Sequence, residues 1–153
     1  MKGLSVTARP HLKLDRYLPY LINRLGSALV ARFSREALVG QRLSIAMWRV
    51  LAVLSNNGGQ RQVDLAGMTS IDPSTLSRLV ARLVRRGLVT RKRSLTSNRE
   101  VVVQLTQKGR AIVGRLIPIA RRLEREAASG LPARELAVLR RALRRMHENM
   151  AVG

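Results

Sequence analysis

Apolar residues at Leu18, Leu21, Ile22, Leu25, Leu29, Val30 and Phe33 recur every three or four positions, the period of one helix face. Pro19 fits only a first turn, so this helix is predicted to begin around Asp15 to Leu18. "LSIAMWRVLAVLSNNGG" predicts a second helix, with Ser44 as N-cap and the Asn56-Asn57-Gly58-Gly59 cluster as its stop. "RQVDLAGMTS" reads as a short helix and a turn. "DPSTLSRLVARLVRRG" predicts a further helix, with Asp72 as N-cap, Pro73 at its first position and Gly87 just past its end. "LVTRKR" and "EVVVQL" are β-rich, and the turn formers of "SLTSN" between them predict a hairpin. Thr106 then caps a long helix to about Ala128, in which Pro118 is expected to introduce a kink. After the break "SGLP", a last helix carries Leu136, Leu139, Leu143, Met146 and Met150 on one stripe.

The helix from Asp72 to Arg86 is divided most sharply. Leu76, Leu79, Val80 and Leu83 fall at i, i+3, i+4 and i+7 and must face a core. The other side shows Ser74, Thr75, Ser77, Arg78, Ala81, Arg82 and Arg85, with no Asp or Glu from Pro73 to Arg86. A solvated helix face usually mixes signs. Short polar side chains near a helix N-terminus, with an arginine able to grip a guanine edge, suit direct contact with DNA bases. That assigns base contacts to Ser74, Thr75, Ser77 and Arg78. Arg82 and Arg85 suit phosphates, which position without specifying. Two helices joined by the preceding turn make a helix-turn-helix, and the hairpin becomes a wing. Arg91, Lys92, Arg93 and Arg99 bracket its strands, and Arg61 opens the helix before the turn; Arg61, Arg91, Arg93 and Arg99 are therefore also expected to contact DNA. An arginine at a hairpin tip suits a narrow minor groove. A structural bundle with a solvated basic face is the alternative; the hairpin directly after the helix argues against it.

The expected fold is mainly α with a small β-hairpin wing: a winged helix-turn-helix lobe over 44–106 plus helical segments at 12–40 and 107–150. No internal repeat or long linker divides residues 1–153, so one domain is expected. The outer helices are too long and too apolar to be appendages of the lobe. A second copy of the chain is the simplest cover, which makes a homodimer the expected assembly.

Composition narrows the picture. The formal net charge is +20, which favours a polyanionic partner, nucleic acid before anionic membrane. The excess is spread along the whole chain and carried by 25 Arg against 4 Lys, so an Arg-rich composition accounts for part of it. Charge supports a polyanion without locating the site. There is no cysteine, which removes disulfides, thiolate metal sites and thiol redox sensing. His11 and His147 are too few for a histidine metal site, and no cofactor is expected. No apolar run suits a signal peptide or a bilayer span, so a cytoplasmic protein is expected, with no membrane partner. Nine carboxylates, no Gly-rich phosphate loop and no His–carboxylate spacing leave little for catalysis. The competing function is a sequence-indifferent architectural DNA binder, which needs charge but no reading face.

From about Leu12 to Met150 the chain resembles the MarR family of winged helix-turn-helix regulators. The resemblance is carried by "MWRVLAVL", "DPSTLSRLVARLVRRGLV" and "REVVVQLTQKGR". It implies a homodimer in which the first, fifth and sixth helices interdigitate, and a double-stranded DNA operator with inverted half-sites. It also implies regulation of transcription, as a repressor, with Arg99 as the wing-tip arginine. The family usually has Asp two residues before that arginine. Here Ser97 stands there, so the usual carboxylate brace is missing. Thr69 and Ser70 replace the common Leu-Gly of the turn, while Leu65, Ala66 and Ile71 keep its apolar frame.

Family members often respond to small, frequently aromatic anions held between the dimerisation helices and the DNA-binding lobe. Tyr17, Tyr20, Phe33 and Trp48 are the chain's only aromatic residues. An anionic ring wants a cation for its carboxylate and an apolar or aromatic wall. His11, Arg16, Tyr20, Trp48 and Arg49 are therefore the expected ligand residues, for an effector that is an aromatic carboxylate. Plain packing of Trp48, or a carboxylate partner for Arg49 across the dimer, would account for those two equally. "LDRYLPYLINR" and "MWRVLA" resemble regulators of aromatic-acid catabolism within the family.

Overall fold

The computed structural model describes residues 9–97 and 99–151. The N-terminal "MKGLSVTA" and Asn98 of the expected hairpin turn lie outside the described residues. Helix α1 spans Leu18–Phe33, with Pro19 in its first turn. It continues through a π-helical turn, Ser34–Leu38, and a 3-10 turn, Val39–Gln41. Arg42 then takes a left-handed conformation (φ 52°), and the chain swings by 83° into α2, Ile45–Asn57. Ser44 caps α2, its hydroxyl accepting the Met47 N–H at 3.1 Å.

The next segment departs from expectation. Gln60–Arg61 is a two-residue strand, β1, and only then does α3, Gln62–Thr69, begin. Helix α4 is Pro73–Arg85, followed by β2, Val89–Arg93, and β3, Val101–Leu105. The sheet is therefore three-stranded and antiparallel, in the order β1-β3-β2, rather than a bare hairpin. Val89 pairs with Leu105 and Arg93 with Val101; on the other side Arg61 pairs with Val102. Helix α5, Gln107–Ala127, runs through Pro118 as one helix, and α6 is Ala133–Ala151.

The core lies where α2, α3, α4, the sheet and α5 meet. Leu51, Leu65, Leu76, Val80, Leu83, Leu88 and Val103 are all fully buried there. The α4 stripe is buried as its spacing requires. Its end is closed by Gly87 at φ 69°, with Gly87 N–H on Val84 O and Leu88 N–H on Leu83 O. Gly109 lets α5 touch the lobe: a Cβ there would collide with the carbonyl of Leu88. At the same junction Thr106 caps α5 and also donates its hydroxyl to Gly87 O at 2.6 Å.

The turn between α3 and α4 shows what the Thr69-Ser70 pair does. Thr69 is buried and bonds Leu65 O, while Ser70 occupies the left-handed position (φ 55°) that glycine fills most cheaply. A closed ring of ion pairs joins the far end of α1 to α5. Arg32 and Arg122 each bond both Glu36 and Glu126, at 2.6–3.0 Å.

Candidate nucleic-acid interface

Asp72 organises the start of α4. Its Oδ1 accepts the Thr75 N–H at 2.9 Å and the Ser74 hydroxyl at 2.8 Å. Hydrogen bonds from the Thr75 side chain, its N–H and Ser74 hold the carboxyl well below the usual carboxylate range. The cap thus stays charged and fixes Ser74 and Thr75 at the helix's exposed end. Arg78 reaches back to Thr75 Oγ1 at 3.4 Å. Ser74, Arg78, Arg82 and Arg85 are exposed, and Thr75, Ser77 and Ala81 are half-buried. The helix therefore presents an acid-free polar strip opposite the buried leucines.

The remaining arginines divide by what they touch. Arg91 donates to Ser77 O at 2.9 Å and so fastens the first wing strand to α4. Arg93 and Arg99 are exposed. Arg61 is engaged by two carboxylates: its Nε and Nη2 grip Asp64 at 2.7 and 3.1 Å, and its Nη1 meets Glu100 at 2.9 Å. Those bonds, Asp64 first and Glu100 second, push its pKa above the ordinary arginine value. Arg86, which the sequence did not single out, donates to Arg42 O and Gln41 O at 2.7 Å each and ties α4 to the α1–α2 corner. The spacing Arg61-x-x-Asp64 signals the first of these pairs; the contacts of Glu100 and Arg86 span 39 to 45 residues and leave no local pattern.

Two hollows flank Trp48, which packs against Phe33 with ring centroids 5.1 Å apart. One, of about 200 Å³, lies among Leu29, Phe33, Ile45, Ala120 and Leu123, with Glu124 its only charged lining residue. The other, of about 440 Å³, is lined by Arg49, Val53, Met68, Thr69 and Ser70. His11, Arg16 and Tyr20 line neither. His11 and Arg16 are exposed, and Tyr20 has the Arg24 guanidinium 5.7 Å from its ring centre. One protomer therefore does not gather the five expected ligand residues around a single hollow.

A short helix, a turn, a second helix with an exposed polar strip and a basic hairpin define a winged helix-turn-helix. The comparisons agree. The family model described as "MarR family" matches residues 43–101. The HTH-type transcriptional repressor NicR of Pseudomonas putida is 30% identical over 127 residues, 83% of this chain and 80% of that protein. A solved MarR family regulator from Silicibacter pomeroyi superposes with a TM-score of 0.85 at 32% identity, covering 94% of this chain and 99% of the other. Bordetella bronchiseptica BpsR, whose DNA binding is regulated by 6-hydroxynicotinic acid, superposes with a TM-score of 0.73 at 28% identity, over 85% and 98% of the two chains. The chain belongs to the MarR family of DNA-binding transcription regulators. No single helix among the described residues is long and apolar enough to cross a membrane.

Proposed function

We propose that the chain is a homodimeric repressor that reads an inverted-repeat DNA operator through α4 and the wing, and that a small aromatic carboxylate releases it. The observation that carries the reading is the exposed, acid-free strip of α4, ordered from its N-terminus by Asp72. Ser74, Thr75, Ser77 and Arg78 contact bases, Arg82 and Arg85 contact phosphates, and Arg93 and Arg99 serve the wing. Arg91 takes part by holding the wing against α4.

Dimerisation is supported by what one protomer leaves uncovered. Leu18, Leu21, Ile22 and Leu25 on α1 and Val138, Leu139 and Leu143 on α6 are all at least 40% exposed, and α6 buries no residue. Such faces belong against apolar surface. The effector reading rests on the hollow beside Trp48 that contains Arg49 and on the ligand named for BpsR. In this reading the partner's N-terminal segment brings the counterparts of His11, Arg16 and Tyr20 to that hollow.

The test is selection of bound duplexes from a random pool, followed by titration of the selected site at physiological salt. An inverted repeat bound at least about 10³ tighter than random DNA is expected. A ratio near one would leave the sequence-indifferent binder as the better description.

A further inference from the structure

Ser97 stands two residues before Arg99, and the base of the wing carries a carboxylate cluster. Arg61 on β1 pairs with Val102 of β3. Glu100 immediately precedes β3, two residues before Val102, and so lies diagonally opposite Arg61 at the end of the sheet. The Arg61 fork closes on Asp64 of α3 with two bonds, and its remaining arm holds Glu100. Arg61, Glu100 and the wing-tip Arg99 line the same small hollow. The loop above is pinned through the Glu100 backbone: Ser94 N–H donates to Glu100 O at 2.7 Å, and Glu100 N–H to Ser97 O at 3.2 Å.

We infer that the Asp64–Arg61–Glu100 cluster is the brace that sets the pose of Arg99, making Arg61 a positioning residue for the wing rather than a phosphate contact. The inference rests on the proposal that the wing reads DNA. Its electrostatics give it a distinctive sign. The cluster has a net charge of minus one and stands at the base of a segment that approaches phosphates. By charge alone, removing Glu100 should tighten DNA binding and free Arg61 for the backbone. By positioning, removing Glu100 should loosen the wing and weaken binding. Ion pairs this exposed contribute modestly, so the expected weakening is about two- to fivefold.

Two measurements separate these outcomes. In the free protein, Arg61→Gln and Glu100→Gln should each speed exchange of the Ser94 amide hydrogen about two- to fivefold. Unchanged exchange in both overturns the brace whatever happens with DNA. On the selected operator, Glu100→Gln should weaken binding when the flanks are A·T-rich, and its effect should vanish in the Arg99→Ala background. Tighter binding by Glu100→Gln, or a weakening that persists without the Arg99 side chain, contradicts the brace. If Arg99→Ala itself shows no flank-dependent weakening while exchange at Ser94 responds as expected, the proposed role of the wing has failed and the assignment of Arg61 to DNA positioning falls with it.

Discussion

Replacing Gly109 with alanine adds one methyl group at the junction between the winged-helix lobe and α5. That methyl collides with the Leu88 carbonyl, a backbone atom that no rotamer change can move. Either α5 retreats or the end of α4 shifts. Retreat strains the Thr106 N–H bond to Leu88 O, at 3.0 Å, and the Thr106 hydroxyl bond to Gly87 O. Each bond contributes roughly 1 kcal/mol net, and overpacking adds about 1–3 kcal/mol. Alanine's higher helix propensity returns about 1 kcal/mol. The net cost is about 2–4 kcal/mol, a large share of the roughly 5–15 kcal/mol that holds a domain together. Gly67 in α3 is the control, because a Cβ there meets nothing within 4 Å. Gly67→Ala should be neutral or stabilise by up to about 1 kcal/mol. Denaturant titration and thermal melting at one fixed protomer concentration read both variants, with the Gly109→Ala midpoint falling by about 5–15 °C. If Gly109→Ala lies within about 0.5 kcal/mol of the parent, α5 does not rest against Leu88 as described.

Further outcomes follow from particular residues. Ser70→Gly should raise stability by about 1 kcal/mol, because it removes a side chain from a left-handed position; an unchanged or lower midpoint contradicts that turn geometry. The Arg122 and Arg32 bonds, in that order, hold the Glu36 carboxyl below its ordinary value of 4.5. Its folded pKa is thus depressed, so the contribution is present above about 4.5 and fades as pH falls through the lower folded value. The stability difference between parent and Glu36→Gln should therefore close on acidification, and should narrow in high salt because the ring is exposed; a difference independent of both would mean that the ring contributes nothing. Leu139→Asp with Leu143→Asp puts charge into the proposed α6 interface, and sedimentation should show monomer or aggregate; a tight dimer would place the interface elsewhere.

Legibility in the sequence followed the range of the interaction. Asp72-Pro73, Gly87 and Thr106 are caps that act within one turn, and each sits where the sequence predicts it. The α4 stripe is equally local. Strand β1 has two residues, too short for any alternation, and exists because β3 offers an edge to Gln60 and Arg61. The π-helical turn at Ser34–Leu38 interrupts no apolar period and had no sequence signal. At the site, the polar strip of α4 is readable from the residue pattern of that one segment. The occupations of Arg86 and Arg91, and the Glu100 contact of Arg61, are not, because all three are arginines on a basic chain and only distant partners distinguish these contacts. The expected ligand residues divide between two regions for the same reason: His11, Arg16 and Tyr20 lie before or at the start of α1, Trp48 and Arg49 on α2, and no local pattern says whether the two regions meet.

The most direct test of the central claim is operator binding by Ser74→Ala, Ser77→Ala and Arg78→Ala across several salt concentrations, beside Arg82→Ala. Arg78→Ala should weaken operator binding by roughly 1–3 kcal/mol and relax preference at one base position per half-site. Arg82→Ala should instead weaken all sequences about equally and lower the salt slope by about 1 for each phosphate it no longer neutralises. If the Ser74, Ser77 and Arg78 variants all bind and discriminate like the parent, α4 is not the reading helix.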